Sequence, residues 1–422
     1  MKIEERGRAR FRPQRDVNIE DITKLLLEKI QSEQEQAANL NTSVSYESVY
    51  HKSDKLNLVS LFSGCGGLDL GVELAGLEAV LGKDLVNSSL KSRTDFESIR
   101  EKSIFNTVAS LDNFTEANQS YRANFPDHIL QIKDDIKKIN RFPMADMVLG
   151  GFPCPGFSEG GPRLIDDKRN FLYIHFIRCL MQSRPLFFVA ENVKGMLTLG
   201  KGAVAKQIKE DFESAGYNVN MKLINARDYG VPQLRERVFL VGVRQDIEFD
   251  YNFPDPTHGE VDGLHRFVTL EDSIKSLESN PGQYFTGSYS PIYLSRNRKK
   301  RWDEQSFTIQ ASGRQAPLHP SGASMQKINK DEWILPSNTE HRRLSVKEIA
   351  RIQTFPDWFE FSKGDELKSS LNNQLNKQYK QIGNAVPVQL AKSIILPIAN
   401  WFVFNNRSIE KYRIKGSSHL RV

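Results

Sequence analysis

Between Leu56 and Arg244 short apolar runs alternate with longer amphipathic stretches, and that alternation restricts the fold more than any other feature of the chain. The runs 57–62, 145–151, 186–190, 219–225 and 238–243 have the length and composition of strands. Between them, the stretches near 68–76, 113–124, 170–182 and 203–215 carry helical periodicity. Strands and helices taken in turn predict an α/β domain, a mostly parallel sheet with helices on both faces, over 56–244.

The flanks differ from this core. Residues 1–18 are rich in arginine and nearly free of aliphatic side chains, which reads as an arm. Ile19, Ile22, Leu26 and Ile30 then recur at helical spacing and predict a docking helix over 19–38, giving an N-terminal unit 1–55. After Arg244 the pattern dissolves into a stretch rich in Gly, Ser, Pro, Tyr and Arg, a second, loop-rich domain over 245–365. A helix returns at 345–354, with Ser345 as N-cap and Glu348 three residues on. Another follows Pro387 in the C-terminal segment 366–422.

Charge separates the same regions. The net charge is +6, yet residues 1–15 and 281–320 each hold six basic and two acidic side chains, which leaves −2 for the remaining 367 residues. Two basic segments on a mildly acidic body point to local contact with a polyanion. Cys65, Cys154 and Cys179 are too few for a disulfide framework and suit a reducing compartment. The charged N-terminus has no apolar leader, and the apolar stretch 394–404 is broken by Pro397 and Asn400. A cytoplasmic protein without a membrane span is therefore expected.

Three loops at strand ends carry candidate chemistry. The first run leads into Ser63-Gly64-Cys65-Gly66-Gly67, where an open α/β sheet binds a nucleotide-like ligand at a helix N-terminus. A dinucleotide fingerprint would need a third glycine where Asp69 stands, so a nicotinamide enzyme is disfavoured. Asp112 and Asp135, near later strand ends, suit a ribose hydroxyl pair and an adenine amino group. Cys154 sits between Pro153 and Pro155 in a stiffened loop at the carboxyl end of a strand, an unusual place for an inert thiol. Glu191 and Asn192 end the next strand, and an acid opposite a thiol fits covalent catalysis with proton donation.

Taken in order, these segments resemble the DNA (cytosine-5) methyltransferase family. The matching segments are Phe62-Ser63-Gly64-Cys65-Gly66-Gly67, Gly151-Phe152-Pro153-Cys154, Glu191-Asn192-Val193, residues 225–233, Arg235-Glu236-Arg237, Arg342-Arg343-Leu344-Ser345 and residues 381–387. The resemblance runs from about 56 to 400. It implies a Rossmann-like methyltransferase sheet with a smaller target-recognition domain, and S-adenosyl-L-methionine as cofactor. The cofactor residues it implies are Phe62, Gly64, Gly66, Gly67, Asp112, Asp135, Ile136, Pro153, Leu172, Asn384 and Val386, so the C-terminal segment should fold back onto the first domain. Cys154 would attack carbon 6 of a flipped cytosine and Glu191 protonate its nitrogen 3, with Asn192, Arg235 and Arg237 completing the catalytic set.

A narrower resemblance, to GGCC-specific modification methyltransferases, lies in residues 287–290, 295–298, 307–315 and 317–320. It implies the inner cytosine as target and Arg296, Arg298, Arg314 and Gln315 as DNA-binding residues. The expected partner is double-stranded DNA, the expected state a monomer without a metal, beside a cognate restriction endonuclease that shares the site but does not bind. An RNA cytosine methyltransferase and a non-catalytic DNA-binding protein remain alternatives. The chain departs from the family pattern at Pro155 (usually glutamine), Asn113 (often aromatic), Leu234 (usually basic) and Ala385 (often serine), and by about 25 extra residues over 81–105. The N-terminal arm has no counterpart in the minimal family core.

Overall fold

A computed structural model describes residues 19–39, 49–153, 172–365, 367, 369–405, 410, 412 and 413. The arm 1–18 and the stretch from Cys154 to Phe171, Pro155 included, lie outside the described residues. Helix α1 (Ile19–Asn39) precedes β1 (Leu56–Leu61), α2 (Gly67–Leu81), α3 (Lys83–Ser89), α4 (Arg93–Arg100), β2 (Phe105–Leu111), α5 (Thr115–Asn124), β3 (Leu130–Ile132) and β4 (Met147–Gly150). Then come α6 (Leu172–Ser183), β5 (Phe187–Val193), α7 (Ala203–Ser214), β6 (Tyr217–Asn225) and β7 (Glu236–Arg244).

These strands form one sheet in the order β3, β2, β1, β4, β5, β7, β6. Strands β1 to β5 pair in parallel, and β7 runs antiparallel between β5 and β6. The chain moves from β1 outward to β2 and β3, then returns to β4 on the other side of β1. That reversal opens a crevice at the carboxyl ends of β1 and β4, where such sheets bind ligands. Side chains alternate across the sheet: Leu56 and Leu58 face the layer of α2 and the C-terminal helix at Val388–Asn405, while Val59 and Leu61 face the layer of α1, α6 and α7. Leu26 and Ile30 of α1 are buried in that second layer, which anchors the N-terminal helix.

All five apolar runs are strands; β2 and β3, whose ends Asp112 and Asp135 mark, carry no such run. Asn106, Thr107 and Ser110 interrupt the apolar pattern of β2 although all three are buried. Asn106 lies opposite Asn57 of β1 and donates to its Oδ1 at 2.9 Å and to the Tyr50 carbonyl at 2.8 Å. Polar side chains that satisfy one another inside a sheet cost little and hide the strand from a hydropathy pattern. Within the extra residues 81–105 lie α3 and α4. Ser92 caps α4 by accepting from the Asp95 amide, and Phe96 stacks on Trp358 at 5.2 Å.

Beyond β7 lie α8 (Leu270–Ile274), the hairpin of β8 (Gln326–Asn329) and β9 (Glu332–Ile334), α9 (Val346–Ile352), α10 (Leu371–Asn384) and α11 (Val388–Asn405). The Ser345 and Glu348 pair closes a full capping box on α9. Helix α10, which the sequence reading did not separate, buries Leu375, Tyr379 and Ile382 with Leu270, Ile309 and Ile349 of the loop-rich region. Helix α11 instead joins the sheet core through Leu390, Ile394 and Ile398. The apolar window within Leu371–Asn405 is 61% buried, as in a core helix of a globular protein.

Candidate active site

Strand β1 ends in a loop that the backbone bends sharply: Phe62 and Gly64 have φ of 54° and 55°, and Gly66, the N-cap of α2, has φ of 94°. The Gly64 amide donates to Asp112 Oδ2 at 2.8 Å, and the Phe114 amide to Asp112 Oδ1 at 2.8 Å. Burial pushes the Asp112 carboxyl up, and these backbone donors oppose it. Asp112 thus ties the glycine loop to the end of β2. Asp135 caps the short turn Ile136–Lys138 by accepting from the Lys137 amide at 3.0 Å. The returning C-terminal segment lies against the start of α2, since a Cβ at Gly67 would stand 2.6 Å from the Val386 carbonyl.

On the far side of the same crevice, Glu191 ends β5 and is 8% exposed. Arg237 Nε lies 2.8 Å from Glu191 Oε1. Asn192 donates from Nδ2 to the Phe152 carbonyl at 3.1 Å, and its Oδ1 accepts from the Val193 amide at 2.8 Å. This side chain therefore fixes the loop that leads to Pro153. Cys154 lies outside the described residues, and Pro153, its neighbour in sequence, lines the cavity.

Arg235 borders the same cavity but is almost closed off from solvent. Its side chain is 1% exposed and donates to the carbonyls of Ile309 at 3.2 Å, Gly383 at 3.0 Å and Ala385 at 3.0 Å. Burial, with Arg237 nearby, lowers its pKa to about 9. It clamps the loop-rich region and the returning segment to the sheet.

One cavity of about 480 Å³ unites these groups. Phe62, Gly64, Gly67, Asp112, Asp135, Ile136, Pro153, Leu172, Asn384 and Val386 line it together with Glu191, Asn192, Arg235 and Arg237. Gly66 stands behind the wall, packed against Phe125. Ser63, Phe114 and Asp69 are among the lining residues that the sequence does not single out for the site. Ser63 has a buried Oγ without a partner. Phe114 carries Lys380 Nζ 4.1 Å above its ring, which supplies an aromatic one residue after Asn113. Asp69 is buried beneath the loop. The aromatic at 114 was visible in sequence, but its direction needed the fold. Among the described residues no group of three or more His, Cys, Asp and Glu side chains is placed to hold a metal ion.

The four DNA-binding candidates divide. Arg296 and Arg314 are exposed. Arg298 is 5% exposed and donates from Nε to the Tyr293 carbonyl at 2.9 Å and from Nη2 to Gln315 Oε1 at 2.9 Å. Its guanidinium thus supports the loop and orients Gln315.

Comparison with known proteins agrees with this geometry. The profile of the C-5 cytosine-specific DNA methylase family matches residues 56–400. The Type II methyltransferase M.BsuRI of Bacillus subtilis is 60% identical over 418 residues, covering 99% of this chain and 96% of its own. The Type II methyltransferase M.BspRI of Lysinibacillus sphaericus is 59% identical over 402 residues, 95% of each. Among solved structures, the Entamoeba histolytica methyltransferase EhMeth has a similar fold, with a TM-score of 0.52 and 19% identity over 82% of this chain and 99% of its own.

Proposed function

The chain belongs to the C-5 cytosine-specific DNA methylase family, and from that premise we propose that it is the modification enzyme of a Type II restriction-modification system. It acts in the cytoplasm on the inner cytosine of GGCC in duplex DNA. The observation that carries this reading is the single cavity joining the β1 glycine loop to the Glu191 and Arg237 pair. The Type II relatives support the biological setting. The recognition-region segments support GGCC.

The cavity suits an adenosyl cofactor: a left-handed glycine loop at a helix start, the unpartnered Ser63 hydroxyl and two aspartates at strand ends surround it. Phe62, Gly64, Gly67, Asp112, Asp135, Ile136, Pro153, Leu172, Asn384 and Val386 would hold it, with Gly66 shaping the loop from behind the wall. When bound, S-adenosyl-L-methionine supplies an electrophilic methyl group for carbon 5. The protein must make that carbon a nucleophile. The Cys154 thiolate bonds to carbon 6 while Glu191 passes a proton to nitrogen 3, and the displaced 5,6 electron pair gathers at carbon 5. After methylation a base takes the carbon 5 proton, the 5,6 double bond re-forms and the bond from sulfur to carbon 6 breaks. Nitrogen 3 then returns its proton to Glu191. Arg237 orients the Glu191 carboxyl throughout, as a charge-assisted pair does.

A stacked base cannot enter this cavity, so the cytosine is flipped out at a cost of a few kcal/mol that contacts to the duplex offset. Bisulfite sequencing of DNA from cells expressing the protein tests the reading. Conversion-resistant inner cytosines at GGCC are expected. Methylation at other sites would refute the specificity, and activity confined to tRNA would refute the choice of substrate.

A further inference from the structure

We propose that Asp69 is a positioning residue for the methyl-donor loop: its carboxylate, held by the hydroxyls of Ser60 and Tyr121, fixes the aromatic wall behind Gly66 and so sets the affinity for the adenosyl cofactor. The inference rests on the reading of this cavity as the cofactor site. Asp69 is 1% exposed in the first turn of α2. Ser60 of β1 donates to its Oδ2 at 3.0 Å, and Tyr121 of α5 donates to its Oδ1 at 2.9 Å. The Tyr121 ring stacks on Phe125 at 4.2 Å with 20° between the planes. A Cβ on Gly66 would run into the Phe125 ring, so this stack bears directly on the left-handed residue that ends the loop. One acid therefore joins β1, α2 and α5 beneath the loop.

The arrangement depends on the ionised form. Two hydroxyls can both donate to a carboxylate, but a protonated carboxyl must direct its own O–H at one of them. That hydroxyl then loses its acceptor where Ser60, Asp69 and Tyr121 are each only 1% exposed. Burial pushes the Asp69 carboxyl up to about 7, against the pull of both hydroxyl donors, so the two forms exchange near neutrality. The other titratable groups around it are accounted for. Glu73, one turn along α2, raises Asp69 further and is itself paired with Arg100 of α4 at 2.8 Å. Burial raises Tyr121 well above its ordinary value and pushes the Cys65 thiol up to about 12, so both stay neutral. Asp112 acts on Cys65 from the end of β2.

Titration calorimetry of the full-length protein with S-adenosyl-L-methionine and, separately, S-adenosyl-L-homocysteine tests the idea. Affinity for both should fall about tenfold from about pH 8 to about pH 6, the window set by the raised carboxyl and the size of one buried charge-assisted hydrogen bond. Asp69→Asn should show no such step. Tyr121→Phe, which keeps the stack and loses only the hydroxyl, should lose it too, and it keeps the test decisive if Asp69→Asn folds poorly. Both variants see the same ligand titrations as wild type, so the ligands' own protons cancel. A wild-type affinity that is flat with pH overturns the proposal, as does a step that survives in Tyr121→Phe. A step for the sulfonium ligand alone also overturns it, because that reports direct charge contact. Failure of wild type to bind either ligand overturns the reading of the cavity as well.

Discussion

Glu191 and Arg237 meet because β5 and β7 are antiparallel. Glu191 lies opposite Phe239, and Arg237, two residues along β7, reaches the same face on the diagonal. Removal of the acid should leave the cofactor site intact and slow chemistry. Glu191→Gln is expected to lower single-turnover methyl transfer by roughly 10² to 10⁴ with cofactor affinity unchanged. Cys154→Ser should abolish methylation while cofactor binding stays measurable, and normal turnover in that variant would exclude the covalent route. Among the recognition candidates, Arg296→Ala or Arg314→Ala should each cost about 1–3 kcal/mol of discrimination at one base pair, read by competition with substituted duplexes. Arg298 differs, since it is packed on Tyr293 at 4.7 Å and bonded to its carbonyl. Its removal should lower the melting temperature before it alters base preference.

Helices α2 and α11 pack so closely at Gly71 that no side chain fits there without displacement. A Cβ at Gly71 would meet the Ala391 methyl, stand 2.8 Å from the Val388 carbonyl and 2.9 Å from the Lys392 amide. Gly71→Val should therefore destabilise the protein by roughly 1–3 kcal/mol, seen in chemical denaturation, and weaken cofactor binding through the displaced Val386 segment. The short helix α9 depends on its cap, in which Ser345 accepts from the Glu348 amide at 3.1 Å and Glu348 accepts from the Ser345 amide at 2.7 Å. Capping was legible because it is local, with both partners three residues apart. The apolar pattern of strand β2 is broken instead by a residue such as Asn106, whose partner Asn57 lies across the sheet, 49 positions away.

The whole molecule turns on how its C-terminal segment is divided. Helix α10 belongs to the core of the loop-rich region and α11 to the sheet, and Asn384 and Val386, near the junction, line the cavity. Arg235 bonds to Ile309 of the loop-rich region and to Gly383 and Ala385 at that junction, so one side chain ties the two cores together. Charge shows the same dependence on assembly. In the segment 281–320, Lys299 is buried, Lys300 pairs with Glu304 at 2.9 Å and Arg301 with Asp303 at 3.0 Å. Arg296 and Arg314 keep exposed guanidiniums, so Arg301→Ala should leave site preference unchanged where the other two do not. The sequence by itself determined the α/β alternation, the glycine loop, the acid and thiol loops and the ordered motifs, because each rests on residues close together in the chain. Only the folded chain settles that Asp69 sits under the glycine loop, that Arg235 and Arg298 face inward, and which cations meet solvent. Those outcomes depend on which distant surfaces close over a side chain, and burial is a property of the folded whole.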